Sequence, residues 1–106
     1  MNIGLDIVDI KRTKKIIKRT SSFVEKLMHE DEVESLSIES ICGKIAAKEA
    51  IVKTGYMKAG QWKKVKIISL PSGEPLVCDE QGKLIQKLHI SISHTDQLAI
   101  AAAVYE

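Results

Sequence analysis

The chain has 106 residues, with 16 Lys and Arg against 14 Asp and Glu, a formal charge of +2, and one Trp, two Tyr and one Phe as its only aromatic side chains. That length reads as one domain, residues 1–106, burying about two thirds of its unfolded surface, and the near-neutral balance is too small a charge to argue for nucleic acid as a partner. No apolar run approaches the roughly 20 residues that cross a bilayer as a helix. The chain carries no signal-peptide pattern, and Cys42 and Cys78 lack metal-ligand spacing, so free thiols in the cytoplasm are expected.

Residues 2–10 (NIGLDIVDI) are β-branched and almost continuously apolar, the pattern of a central strand buried on both faces. Asp6 interrupts it. Alternation sets Gly4, Asp6 and Val8 on one face and Ile3, Leu5 and Ile7 on the other, so an acid stands mid-strand beside a glycine that leaves room for it. The alternative is that the strand frays there and Asp6 caps the next segment. Residues 11–19 predict a short helix with Ile10, Ile16 and Ile17 inward beneath Lys11, Arg12, Lys14, Lys15, Lys18 and Arg19. That basic surface is either a solvated face or a dock for an acidic partner. Ser22 and Glu25 form a capping-box signal for a second short helix, with Phe23, Val24, Leu27 and Met28 inside, and the acidic stretch after it holds one or two further turns.

Ser37 is the candidate N-cap of the longest helix, which fades near Gly55. Ile38, Ile41, Cys42, Ile45 and Val52 recur along it at spacings of three, four and seven, and Glu49 falls on the same stripe. An ionised carboxylate turned inward needs a cation, either a side chain or a metal. Lys53, one turn on, can supply that charge as a simple helix ion pair.

Residues 65–70 read as a strand, PSGEP as a turn freed by Gly73 and stiffened by Pro71 and Pro75, and residues 76–78 as a brief strand. Residues 79–88 fit either a hairpin turn at DEQGK or a helical turn through Leu84, Ile85 and Leu88. Residues 89–94 alternate, and TDQ turns them into LAIAAAVYE as a terminal antiparallel hairpin. His94 stands at that turn on the face of Ile90 and Ile92, where a histidine is either structural or catalytic. These elements define an α+β fold class, a small antiparallel-rich sheet packed against one long helix and short helices. Plentiful small aliphatics and scarce aromatics predict thin layers, with burial shared between subunits.

Taken together, GLDIV near the start, GKIAAKEAIVK in the centre and ISISHT near the end resemble the holo-acyl-carrier-protein synthase type of 4'-phosphopantetheinyl transferase, in the same order and over nearly the whole chain. The resemblance implies that family's small α+β fold, commonly a homotrimer with active sites at subunit interfaces. It implies transfer of the phosphopantetheine arm of coenzyme A to a serine of an acidic acyl carrier protein. By position, Asp6 and Glu49 would hold Mg²⁺, a hard cation that prefers oxygen ligands. Glu49 would also accept the serine proton, directly or through water, and Lys53 would add positive charge at the phosphates. Lys44, Gly73, Pro75, His94 and Thr95 match positions at the coenzyme, and Arg12, Lys15 and Arg19 match the helix that docks the carrier. The chain differs from the family in three places. Lys44 replaces a usual arginine, Glu74 replaces a usual basic residue in the turn, and the segment before the long helix is short. Two alternatives stay open: a weakened homologue that binds coenzyme A or carrier without turnover, and a non-enzymatic basic adaptor using residues 11–19, against which the scarcity of base-stacking aromatics counts.

Overall fold

In the computed structural model, which describes residues 1–106, a three-stranded antiparallel sheet of order β1-β5-β4 is formed by β1 (Asn2–Asp9), β5 (Leu98–Tyr105) and β4 (Leu88–His94). A separate antiparallel hairpin pairs β2 (Val65–Ser69) with β3 (Pro75–Asp79). The helices are α1 (Ile10–Arg19), α2 (Phe23–Leu27), α3 (Glu30–Val33) and α4 (Ile38–Lys53), with a 3-10 turn at Trp62–Lys64.

Small side chains explain how α4 lies on the sheet. Ala46, Ala47 and Ala50 of α4 and Ala99, Ala101 and Ala103 of β5 are all fully buried, so helix and strand approach closely without large residues between them. Larger aliphatics close the ends of this layer: Ile51, Val65, Ile67, Val77 and Leu88 are buried around it. The helix starts where Ser37 Oγ accepts from the Ser40 amide at 3.2 Å and stops before Gly55, whose φ of +87° a side chain disfavours. β1 is equally close. A Cβ added at Gly4 would lie 2.0 Å from the carbonyl oxygen of Ala50, which is backbone and cannot swing away. Gly4→Ala is therefore expected to cost at least about 3 kcal/mol, the upper end for overpacking. Urea unfolding checks this, and an unchanged midpoint would refute the close approach.

Most of the expected elements are present, with informative differences. β1 lies at a sheet edge rather than in the centre, and only its Gly4, Asp6 and Val8 face is covered by the chain itself. Ile3, Leu5 and Ile7 are 70%, 57% and 58% exposed. Continuous apolarity in this strand thus marks a face that this chain alone leaves uncovered. The strand does not fray at Asp6, and Asp9 caps α1 by accepting from the Arg12 amide at 2.9 Å. In α1 the inward residues are Ile10, Thr13 and Ile17, while Ile16 is exposed. Ser22 makes no side-chain cap on α2. The reciprocal contact occurs one helix later, where the Glu32 carboxylate accepts from the His29 amide at 2.8 Å. Residues 79–88 form a turn and no helix, because Asp79 Oδ1 accepts from the amides of Gln81 and Lys83, each at 2.9 Å, and Gly82 takes a φ of +84°.

Candidate active site

β1 and α4 bring three of the expected side chains together. Asp6 points from the inner face of β1 towards α4, and Lys53 Nζ reaches its Oδ1 at 3.1 Å and the carbonyl of Leu5 at 3.0 Å. Glu49, one turn before Lys53, is half-buried. Burial pushes its carboxyl above the ordinary range, the nearby Asp6 carboxylate pushes it further, and Lys53 pulls it part of the way back. The helix ion pair expected between Glu49 and Lys53 is replaced by one between Lys53 and Asp6. Two carboxylates against one ammonium leave a net negative site. Its donors are all oxygen, which fits a hard divalent cation such as Mg²⁺. No group of three or more His, Cys, Asp or Glu side chains converges in the chain, so water and substrate oxygens would fill the remaining positions of such an ion.

A second group lies on the other flank of α4. Lys44, Gly73, Pro75 and His94 line one cavity of about 160 Å³, together with Glu39 and Ile92. The tight turn there is closed by the Gly73 amide on the Leu70 carbonyl at 2.8 Å, with Gly73 at φ +92°. His94 is exposed with one long contact, Nδ1 to the Thr95 carbonyl at 3.3 Å, so its ring is available to a ligand. Thr95 Oγ1 accepts from the amides of Gln97 and Leu98, each at 3.1 Å, and so shapes the hairpin that presents His94. Lys44 departs from expectation in its orientation. Its ammonium donates to the Glu32 carbonyl at 2.6 Å and the residue is 5% exposed, so its charge is held inside the protein. Burial lowers its proton affinity, opposed by Glu32.

At about 100° per residue, Lys44 and Glu49 are about 140° apart around α4. β1 and β4 are the two edges of the sheet. The chain thus carries two separate groups, or half-sites, Asp6, Glu49 and Lys53 beside β1, and Lys44, Gly73, Pro75 and His94 beside β4. Arg12, Lys15 and Arg19 are exposed at spacings of three and four along α1, opposite its buried Ile10 and Thr13.

Sequence reasoning missed a buried polar hub behind α4. Lys48 Nζ donates to Glu32 Oε1 at 2.8 Å, to the Leu27 carbonyl at 2.7 Å and to the Trp62 carbonyl at 2.9 Å, while Glu32 Oε2 accepts from the Ile67 amide at 2.9 Å. The available signal was Lys44 and Lys48, four apart, in a helix whose other central residues are small or apolar.

Paired carboxylates and an ammonium between β1 and α4, with a separate polar cavity on the other flank of that helix, suit the handling of a phosphate ester. Comparison with known proteins identifies which one. Residues 2–103 match the family model of the 4'-phosphopantetheinyl transferase superfamily, and the chain belongs to that superfamily. It is accordingly a phosphopantetheinyl transferase. Its relatives narrow the type: a holo-[acyl-carrier-protein] synthase of Clostridium novyi (strain NT) is 39% identical over 121 residues, spanning 100% of this chain and 87% of the relative. Helicobacter pylori holo-[acyl-carrier-protein] synthase, solved in complex with coenzyme A, superposes with a TM-score of 0.85 at 34% identity, covering 98% of this chain and 99% of that one. The Bacillus anthracis holo-(acyl-carrier-protein) synthase, solved in complex with CoA (3',5'-ADP), gives a TM-score of 0.82 at 27% identity, covering 99% and 95%.

Proposed function

We propose that this chain is a Mg²⁺-dependent holo-acyl-carrier-protein synthase, moving 4'-phosphopantetheine from coenzyme A to a serine of an apo acyl carrier protein and releasing 3',5'-ADP. The convergence of Asp6, Glu49 and Lys53 is the observation that carries this reading. Asp6 and Glu49 would hold the Mg²⁺, which supplies charge neutralisation at the diphosphate when bound. Glu49, whose carboxyl favours the proton more than an ordinary glutamate does, takes the serine proton, directly or through water. Lys53 releases Asp6 and turns its ammonium to the phosphates, stabilising the charge that develops there. Gly73, Pro75, His94 and Thr95 position the nucleotide, with Lys44 behind them. Arg12, Lys15 and Arg19 dock the acidic carrier, whose priming serves fatty-acid synthesis in the cytoplasm. No helix is long and apolar enough to cross a membrane.

The working unit is a homotrimer. Support comes from two observations, the exposed Ile3, Leu5 and Ile7 row and the separation of the half-sites by the thickness of α4. A side-by-side subunit covers the first and brings its own β4 half-site to the neighbour's β1 half-site. Leu5→Asp, which adds a charge to that apolar row while leaving the Leu5 carbonyl in place, is expected to yield monomers without transfer activity. Sedimentation velocity with a parallel rate assay checks it, and a fully active monomer would contradict shared sites.

The proposed activity is tested by intact-protein mass spectrometry of apo carriers from the same cell, incubated with coenzyme A and Mg²⁺. The expected result is a gain of one phosphopantetheine mass that disappears with excess chelator. No gain on any carrier, while a control synthase modifies them, would overturn the reading.

A further inference from the structure

Lys53 is the last residue of α4, yet the end of that helix is closed without it. The Thr54 amide donates to the carbonyls of Ala50 at 3.2 Å and Ile51 at 3.1 Å, and the Gly55 amide donates to Val52 at 3.0 Å. The Thr54 hydroxyl adds a bond to the Ile51 carbonyl at 2.6 Å. Lys53 instead crosses to β1, where Nζ meets Asp6 Oδ1 at 3.1 Å and the Leu5 carbonyl at 3.0 Å. Its base is confined and its tip is not. A Cβ built on Gly4 would lie 3.1 Å from the Lys53 Cβ, so the stem starts hard against β1. The Lys53 side chain is 55% exposed and that of Asp6 is 15% exposed, so the ammonium is the accessible half of the pair. It sits on a tether long enough to leave Asp6 and anchored closely enough to return.

We infer that Lys53 is a stand-in cation: its ammonium occupies the Asp6 carboxylate until a diphosphate draws it away, so the enzyme holds a divalent ion weakly by itself and firmly once the donor is bound. The inference rests on the transferase reading above and adds the order in which that site fills. An ammonium and a divalent cation compete for the same carboxylate oxygen and repel each other. With the donor absent, Lys53 can free Asp6 only by giving up its anionic partner for water. With the donor present, Lys53 exchanges one anionic partner for another, and charge-assisted bonds to phosphate replace those it leaves. An exposed ion pair is weak, which puts this exchange within reach of a diphosphate. The donor thus selects the Lys53 arrangement that favours the ion, and by linkage the ion strengthens donor binding by the same factor. Direct contact between ion and diphosphate also makes their binding cooperative, and substituting Lys53 separates the two causes.

The test measures Mn²⁺ affinity of the intact protein from the free-ion paramagnetic resonance signal, without donor and with saturating coenzyme A, using coenzyme A alone as the blank. The proteins are the wild type, the neutral variants Lys53→Met and Lys53→Gln, and Lys53→Arg. The closed end of α4 predicts that all of them melt as the wild type does. Without donor, the neutral variants are expected to bind Mn²⁺ about tenfold more tightly than the wild type, the effect of removing one competing positive charge. Lys53→Arg keeps a cation within reach of Asp6 and is expected to stay within about threefold of the wild type. With coenzyme A bound, the advantage of the neutral variants is expected to fall to about threefold or less. Unchanged donor-free affinity in both neutral variants overturns the inference. So does an equal gain with and without coenzyme A, which would mean that Lys53 repels the ion without ever leaving Asp6. Either result leaves the transferase reading intact. No ion taken up by the wild type with coenzyme A present would remove that Mg²⁺-dependent reading, and this inference with it.

Discussion

Glu49→Gln is expected to lower kcat for carrier modification by about a thousandfold, within the 10²–10⁴ range for loss of a general base, without lowering the thermal stability of the metal-free protein. Both effects have one cause. Glu49 is held half-buried beside Asp6, an arrangement that disfavours its charge and raises its affinity for a proton or a cation. The unfolded chain gives up that proton near the ordinary value of 4.5, and the folded chain only at higher pH. Below 4.5 both states are protonated, and the wild type has its full stability from this group. As pH rises through the folded value the charge appears in the folded state and that increment is lost. Glutamine carries no such charge. The variant should therefore melt at or above the wild-type temperature at neutral pH, and the difference should shrink in acid. Melts in chelator at two pH values, with kcat beside them, check both halves. Equal activity, or a collapse in stability, would refute the assignment.

Lys48→Met is expected to cost about 3–5 kcal/mol, the range for leaving one partner of a buried ion pair alone. For a domain of this length that lowers Tm by on the order of 15 °C. Lys48 and the Glu32 side chain are 1% and 0% exposed, and their contacts join α4 to the end of α2, the start of α3, the 3-10 turn and β2. Met keeps the length of the side chain, so the loss reports the stranded carboxylate. Pairing it with Glu32→Gln removes that charge while keeping an acceptor for the Ile67 amide, and should recover part of the loss. Chemical unfolding of the two single variants and the double variant forms the cycle. A Lys48→Met protein as stable as wild type would mean the hub does not hold these elements together.

The sequence makes some features legible because their signals are local. Ser37 and Gly55 mark the ends of α4 by capping chemistry alone, and the TDQ turn with alternating strands on both sides gives the β4–β5 hairpin. Asp6 and Glu49 stand out because each breaks an apolar pattern, and the fold brings their carboxylates near one another. Other features depend on chain segments meeting from a distance. Apolar Ile3, Leu5 and Ile7 look the same whether the opposing layer belongs to this chain or to a neighbour, so their pattern points to the centre of the sheet while β1 lies at its edge. Glu32 looks solvated within an acidic run until α4 folds over it. The inward commitment of Lys44 follows from that same burial and has no local signature.

The claim beneath the proposed function is that Asp6 and Glu49 together hold one divalent cation. Titration of the coenzyme A-loaded protein with Mn²⁺ in place of Mg²⁺, followed by the loss of the free-ion paramagnetic resonance signal, tests it directly. One tightly held ion per subunit is expected in the wild type, with a strong weakening of that site in both Asp6→Asn and Glu49→Gln. Binding that survives both substitutions undiminished would place the ion elsewhere and contradict it.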